Sequence, residues 1–322
     1  MLLFQKLRSF LAVIILISNV SRCFSAVTLD ALGVYLTRNG YGGAQLIHPE
    51  NFYHLPIESN GNPGNLIIDT GSPTSLIFRA SLKRLALAEL FTMKPERGAF
   101  GRGREFVGLT TIGVLKAGNC TLTNVPVTVA NGPNHVIYRY ANPSGLLGLR
   151  ELIAFGAVLD LPSRLMYLRP LRPVRDVGPG IKSMLLRQRY TPVAFSLVDR
   201  HLRIAGGVNG VPCHFLVDTG SYVTTLDVSF ATRAKIQVRP TPLMAEGFGG
   251  SSIVGMGILP SLRIGNYELK HASVSVVNFD PDVLHRGTNS EIAGLIGVEY
   301  LATNCAIFDF TTATMYLRPR GR

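Results

Sequence analysis

Two short apolar runs, each ending in an aspartate, dominate the pattern of hydrophobic and polar positions along the chain. Residues 65–72 read Asn-Leu-Ile-Ile-Asp-Thr-Gly-Ser, and residues 214–221 read His-Phe-Leu-Val-Asp-Thr-Gly-Ser. Each apolar run has the length of a buried strand, and each is followed by residues typical of a tight turn. The pattern therefore predicts two strands, each of which delivers a carboxylate to a turn.

The two aspartates are 149 residues apart, and other segments recur at the same spacing. Residues 145–148 (Gly-Leu-Leu-Gly) correspond to 294–297 (Gly-Leu-Ile-Gly), and residues 166–170 are identical to 315–319 over five positions. Self-similarity of this kind indicates an internal duplication. The sequence thus predicts two copies of one fold unit.

Both copies predict the same order of elements. Helices are predicted at residues 32–38 and 181–189, and short helices or helical turns at 80–90 and 229–236. Strands are predicted at 44–47 and 193–198, within 108–129 and 253–277, and at 165–168 and 315–317. Asn60-Gly61 and Asn209-Gly210 predict hairpin turns immediately before the two acid-bearing strands. The chain is therefore expected to be mainly β.

Composition agrees with a well-packed globular protein of two lobes. Apolar residues make up 47% of the 322 residues and charged residues only 16%, which argues against disorder. Proline and glycine are concentrated just after the first copy. We therefore predict an N-terminal lobe at 27–172, a linker at 173–179 and a C-terminal lobe at 180–322.

The first 26 residues resemble an export signal, because Lys6 and Arg8 precede a short apolar run that is followed by Ser25 and Ala26. About 20 apolar residues would be expected of a membrane span. We therefore predict a cleaved signal peptide at 1–26, with no stable membrane span after cleavage and an extracytoplasmic location, periplasmic or secreted. A retained signal anchor is the alternative.

The formal net charge of +12 falls to +9 when residues 1–26 are removed. A basic exported protein is attracted to anionic polymers or acidic substrates, although a solvated surface that maintains solubility explains the charge equally well. Nucleic acid is not an expected partner, because the basic residues are scattered and form no binding motif. Neither a metal site nor a cofactor is expected, and Cys120, Cys213 and Cys305 allow at most one internal disulfide.

The paired acids suggest a specific chemistry. A single Asp-Thr-Gly turn is ordinary local structure, but an acid placed at the end of an apolar strand in both copies needs a reason. If a two-fold axis relates the lobes, Asp69 and Asp218 meet at it and share one proton. One carboxylate can then accept a proton from water while the other, protonated, hydrogen-bonds a carbonyl oxygen.

The neighbours of the acids are candidates for supporting the catalytic turns. Gly71 and Gly220 allow the backbone to approach the carboxylates closely. Thr70 and Thr219 carry hydroxyls that could bond across the lobe interface. The remaining two supporting residues are Ser72 and Ser221, for which donation to the carboxylates and ordinary turn capping are both possible.

With these residues in view, the chain resembles the aspartic proteases of the retropepsin and pepsin kind. Each half is similar to one retropepsin subunit, and Leu146-Leu147-Gly148 and Leu295-Ile296-Gly297 match the segment that the family threads beneath its catalytic loops. The resemblance implies a bilobal acid-protease fold, with two closed β-barrel-like lobes related by a pseudo-two-fold axis and the active site between them.

The resemblance also implies glycine-rich flaps, for which Gly101, Gly103, Gly249 and Gly250 are candidates; plain hairpin tips are the alternative. The implied function is that of an exported aspartic endopeptidase, active as a monomer on a peptide or protein in the interlobe cleft. A non-catalytic module that binds peptide or envelope polymer on the same scaffold is the alternative, and hydrolysis of a non-peptide amide is also compatible with the dyad.

Overall fold

The computed structural model describes residues 30–92, 96–97, 104–105, 107–132, 142–170, 176–247, 250–279 and 292–319. In the first half the elements are α1 (Ala31–Arg38), β1 (Gly42–Gln45), β2 (His54–Ser59), β3 (Asn62–Ile68), β4 (Leu76–Phe78), β5 (Phe91–Thr92), β6 (Glu96–Arg97), β7 (Arg104–Glu105), β8 (Gly108–Ala117), β9 (Cys120–Ala130), β10 (Gly145–Leu147), α2 (Leu149–Ala154), β11 (Val158–Asp160) and β12 (Leu165–Leu168). Short 3-10 helices lie at Pro49–Asn51 and Arg79–Ser81.

The second half follows a similar order. Its elements are α3 (Gly178–Arg187), β13 (Thr191–Ala194), β14 (Ser196–Val198), β15 (His201–Val208), β16 (Val211–Val217), β17 (Thr225–Asp227), α4 (Val228–Arg233), β18 (Val238–Gly247), β19 (Gly250–Ile264), β20 (Tyr267–Val277), β21 (Ile292–Ile296), α5 (Val298–Thr303), β22 (Ile307–Asp309) and β23 (Thr314–Leu317).

Each half forms a closed sheet around its own share of the core. The first sheet has the strand order β2-β3-β10-β4-β9-β8-β5 and closes through pairing of β2 with β8. The second has the order β14-β15-β16-β21-β17-β20-β19-β18 and closes through β15 and β19. The expected mainly β fold with two barrel-like lobes is confirmed.

A third sheet joins the halves, in the order β1-β12-β11-β22-β23-β13. At its centre β11 and β22 run antiparallel, with Val158 opposite Asp309 and Asp160 opposite Ile307. Because Val158 and Ile307 are equivalent in the repeat, as are Asp160 and Asp309, this register is symmetric about Leu159 and Phe308. The pseudo-two-fold axis therefore passes through the middle of the shared sheet.

Of the two segments predicted as short helices or helical turns, the first holds a 3-10 helix at Arg79–Ser81 followed by turn residues at 82–86, and the second holds α4, which ends at Arg233. Ala86 and Lys235, equivalent in the repeat, both adopt positive φ, of 51° and 52°. After each, the next amide bonds back five residues, from Leu87 to Leu82 O and from Ile236 to Ala231 O. This is the left-handed cap that ends helices, and no glycine announces it in the sequence.

Several sequence predictions concern residues that the structure covers only in part. Residues 1–29 and 171–175 lie outside the described residues, so the signal peptide and the lobe boundaries at 173–179 stay predictions. Gly178, inside the predicted linker, begins α3. Among the described helices, none has the length and apolar character to cross a bilayer. Within the same part of the chain, Cys120, Cys213 and Cys305 are buried free thiols.

Candidate active site

Asp69 and Asp218 occupy equivalent positions, one residue beyond the ends of β3 and β16. The amide of Asp69 donates to Leu147 O on β10, and that of Asp218 donates to Ile296 O on β21, each at 3.0 Å. Strand β10 runs parallel to β3 and antiparallel to β4, and β21 has the same relation to β16 and β17. Each acid-bearing turn is thus fixed by a strand threaded beside it.

The glycines that end these threaded strands allow the chain to pass beneath the turns. A Cβ atom at Gly148 would lie 2.3 Å from the carbonyl carbon of Thr74, and one at Gly297 would lie 2.5 Å from that of Val223. Real Cβ atoms do not approach backbone this closely. Any side chain at either position would therefore displace the turn.

Thr70 and Thr219 connect the two turns through a closed set of four hydrogen bonds. The amide of each donates to the hydroxyl of the other at 3.0 Å. The Thr70 hydroxyl donates to Val217 O and the Thr219 hydroxyl to Ile68 O, both at 2.7 Å. Both threonines are fully buried. The turns are therefore held against each other at a fixed separation.

Gly71 and Gly220 place each carboxyl group against the opposite turn. A Cβ atom at Gly71 would lie 2.5 Å from Cγ of Asp218, and one at Gly220 would lie 2.5 Å from Cγ of Asp69. The Gly71 amide donates to Asp69 Oδ1 at 2.9 Å, and the Gly220 amide donates to Asp218 Oδ1 at 2.8 Å.

This proximity changes the acidity of the pair. Burial raises the pKa of both carboxyl groups, and the charge of Asp218 raises the pKa of Asp69 further. The amide hydrogen bonds act in the opposite direction, since they stabilise the charged forms. Two carboxylates in contact cannot both ionise cheaply, so the pair titrates as a unit and favours a state that holds one proton.

Ser72 and Ser221 act through their positions in the turns, and their hydroxyls do not bond the acids. The Ser72 hydroxyl donates to Thr74 O at 2.9 Å, and that of Ser221 donates to Val223 O at 3.1 Å. A hydroxyl has a single proton, and here it caps the turn. The backbone amide of Ser72 does contact the dyad, since it donates to Asp69 Oδ1 at 2.9 Å.

Ser75 and Thr224 form a supporting layer that the sequence reasoning missed. The Ser75 hydroxyl accepts from the Gly148 amide at 2.9 Å, and that of Thr224 accepts from the Gly297 amide at 3.1 Å. The two hydroxyl residues are equivalent in the repeat, a signal that could have been read from the sequence.

A glutamate carboxylate binds the backbone of each supporting residue; Glu151 is buried and Glu299 is partly buried. Glu151 Oε2 accepts from the Ser75 amide, and Glu299 Oε1 accepts from the Thr224 amide, both at 2.7 Å. The glutamates stand in the first turns of α2 and α5, where a negative charge is favoured. The two glutamates are 148 residues apart, whereas equivalent positions of the repeat are 149 apart, so aligning the two copies does not pair them.

Of the four flap candidates, Gly250 lies among the residues that the structure describes. In the second half, Gly250 opens β19 and pairs with Gly247 at the end of β18. In the first half, β6 and β7 pair as a short hairpin. Gly101, Gly103 and Gly249 lie outside the described residues, so their assignment as flaps stays a prediction.

Comparisons with known proteins agree with this geometry. An aspartic proteinase from Irpex lacteus has a similar fold, with a TM-score of 0.50 over 88% of this chain and 98% of that chain, at 13% sequence identity. A search of curated proteins found no match. Residues 55–150 and 204–300, more than half of the chain, match the family described as aspartyl protease. The protein therefore belongs to the aspartyl protease family, and both copies carry the family's pattern.

Proposed function

We propose that the protein is an exported aspartic endopeptidase that hydrolyses peptide bonds with a water molecule activated by Asp69 and Asp218. The observation that carries the proposal is the contact of each carboxyl group with the glycine of the opposite turn, which brings the two acids together. A structural role alone would not require two acids in contact, because their mutual repulsion destabilises the fold.

In the proposed reaction the ionised carboxylate accepts a proton from water as the water oxygen attacks the carbonyl carbon of the peptide. The protonated partner donates a hydrogen bond, and then its proton, to the carbonyl oxygen. The tetrahedral intermediate collapses when its carbon–nitrogen bond breaks. The amine nitrogen takes the proton that one carboxyl group received from water, and a hydroxyl of the intermediate returns its proton to the other carboxylate as the carbon–oxygen double bond forms. The sum of these steps consumes one water and restores the shared proton.

The surroundings suit this chemistry. The hydrogen bonds between Thr70 and Thr219 fix the distance between the acids before substrate binds. Groups held in place in this way need no reorganisation during the reaction, which is a large source of rate enhancement. The extended substrate would lie in the cleft between the lobes, and a monomer suffices because one chain supplies both acids.

The proposal is tested with purified protein that carries Asp69→Asn or Asp218→Asn, assayed on a mixture of unstructured peptides. Asparagine preserves the shape of the side chain but cannot exchange the proton, so each variant should lose turnover while it stays folded by circular dichroism. Asp176→Asn is the matched control, because Asp176 is exposed and its Oδ1 only accepts from the Gly178 amide, which an asparagine oxygen can replace. Cleavage by either dyad variant at the rate of wild type would refute the proposal.

A further inference from the structure

The residues that flank the two turns are not symmetric, although the turns themselves are. Tyr222 follows the second turn, and its equivalent after the first turn is Pro73. Phe52 lies one residue before Tyr53, and its equivalent in the second half is His201. One flank of the dyad is therefore aromatic at both positions, and the other holds an imidazole and a proline.

The aromatic flank is assembled across the two halves. The rings of Phe52 and Tyr222 meet edge to face, with centroids 6.4 Å apart and planes inclined at 65°. Phe52 is nearly buried, with 7% of its surface exposed, whereas Tyr222 keeps 42% exposed. The pair thus offers one supported aromatic surface to solvent.

The backbone next to each ring is held by hydrogen bonds close to an acid-bearing turn. The carbonyl of Tyr53, next to Phe52, accepts from the Ile68 amide at 2.9 Å, and Ile68 precedes Asp69. The Tyr222 carbonyl accepts from the Glu299 amide at 3.0 Å. The backbone that carries the two rings is therefore anchored close in sequence to Asp69 and Asp218.

The opposite flank differs in charge as well as in shape. His201 opens β15, and its Nδ1 lies 2.9 Å from Asp199 O. When protonated, its imidazole lowers the pKa of Asp218, against the larger effect of burial. A side chain of the substrate at this end would meet a polar, basic ring.

This asymmetry matters because a peptide has a direction and a two-fold dyad has none. Equivalent flanks would bind a peptide equally well in either of two opposite orientations. Different flanks favour one orientation, since a large apolar side chain gains contacts only at the aromatic end.

We infer that Phe52 and Tyr222 form a subsite for an aromatic or large aliphatic side chain of the substrate, and that this subsite sets the direction in which the peptide crosses the dyad. The inference rests on the proposed function. It assigns a specificity role to two residues that touch neither the shared proton nor the scissile bond.

The test is a cleavage profile on peptide libraries in which one position at a time is randomised. Wild type should prefer aromatic and large aliphatic residues at one position on a single side of the cut. Tyr222→Ala should reduce kcat/KM for the phenylalanine peptide about tenfold relative to the alanine peptide, mainly through KM. Pro73→Ala, at the equivalent position, is the matched control and should leave that preference in place.

A gain-of-preference variant makes the test independent of damage to the fold. His201→Phe combined with Pro73→Tyr would build the same aromatic pair at the opposite flank, and a second aromatic preference should appear on the other side of the cut. An unchanged profile in both Tyr222→Ala and the double variant would overturn the inference.

Binding separates this inference from the proposed function. Two peptides that differ only in having phenylalanine or alanine at the preferred position are titrated against Asp69→Asn by fluorescence anisotropy. If no variant shows turnover, and the preferred position is therefore unknown, such a pair of peptides is made for each position in turn. The subsite is supported, even if no variant cleaves, when Asp69→Asn binds a phenylalanine peptide more tightly than its alanine partner and the double variant Asp69→Asn with Tyr222→Ala does not. Equal binding of all pairs would overturn the subsite whether or not the enzyme is active.

Discussion

The hydroxyl of Thr70 accepts the backbone amide of Thr219 and donates to the carbonyl just before Asp218, and Thr219 returns both bonds to the first turn. Each hydroxyl thus satisfies two buried backbone groups of the opposite half. The four bonds fix the separation of the two acids, on which the proposed reaction depends.

Thr70→Val should destabilise the protein by about 2–3 kcal/mol, because it leaves the Thr219 amide and the Val217 carbonyl buried without partners. Thr70→Ser keeps the hydroxyl and should cost less than about 1 kcal/mol. The measurement is the free energy of unfolding in urea, together with kcat on a peptide substrate. Equal stability of the valine and serine variants would show that the four bonds do not hold the halves together.

Gly71→Ala should reduce kcat by about a hundredfold, since the added methyl would lie 2.5 Å from Cγ of Asp218 and must displace that carboxyl group. Gly220→Ala should act equally on Asp69. Gly43→Ala is the control, because its nearest atom would be a Tyr167 ring carbon at 3.4 Å, an ordinary contact. Full activity of either turn variant would mean that the carboxyl groups do not need this arrangement.

The repeat in the sequence predicted the parts of this site that both copies share. The terminal strand expected at 165–168 is β12, and both acids lie at strand ends as expected. The apolar runs sufficed for this, because a buried strand followed by a turn leaves a local pattern. The edge-to-face contact of Phe52 with Tyr222 leaves no local pattern in the sequence, since the two residues are far apart in the chain and neither is repeated in the other copy.

Left-handed backbone conformations at non-glycine residues were the other feature that could not be predicted from the sequence. Ala86 closes a run of turn residues and Lys235 follows the end of α4, both without a glycine or proline, so the apolar pattern continued past the true ends. Tertiary contacts of Leu85 and Ile236 with the core account for this: burying these side chains offsets the strain of the positive φ. Such compensation cannot be read from local sequence.

Activity should fall as pH rises through the upper pKa of the dyad. The reaction needs one shared proton, and burial and mutual repulsion keep the pKa of the pair above that of ordinary aspartate. A raised folded-state pKa also means that the dyad favours folding most at low pH, and that this contribution is lost as pH rises. Unfolding free energies measured from about pH 4 to about pH 7 should therefore fall less for Asp218→Asn than for wild type. A rate that climbs steadily into alkaline pH would contradict a shared proton.

The glutamates beneath the two turns differ in how their charge is balanced. Arg150 Nε lies 2.5 Å from Glu151 Oε1, so the first carboxylate is ion-paired. Among the residues that the structure describes, Oε2 of Glu299 is buried and has no hydrogen-bond partner. Burial raises the pKa of Glu299, although the Thr224 amide opposes this.

Glu299→Gln should therefore stabilise the protein near neutral pH and leave it unchanged in acid. The amide oxygen of glutamine can still accept from the Thr224 amide, while the buried negative charge is removed. Because the folded-state pKa of Glu299 is raised, its ionisation opposes folding once pH exceeds the ordinary pKa of glutamate, so wild type should lose stability with rising pH more steeply than the variant.

Glu151→Gln is the matched control with the opposite sign: it breaks the ion pair with the half-exposed Arg150 and should destabilise by at most about 1 kcal/mol at neutral pH. Chemical denaturation of wild type and the two variants, from acid to neutral pH, gives the sign of each change in the free energy of unfolding. A Glu299→Gln variant that is less stable than wild type at neutral pH would show that the ionised carboxylate supports the turn.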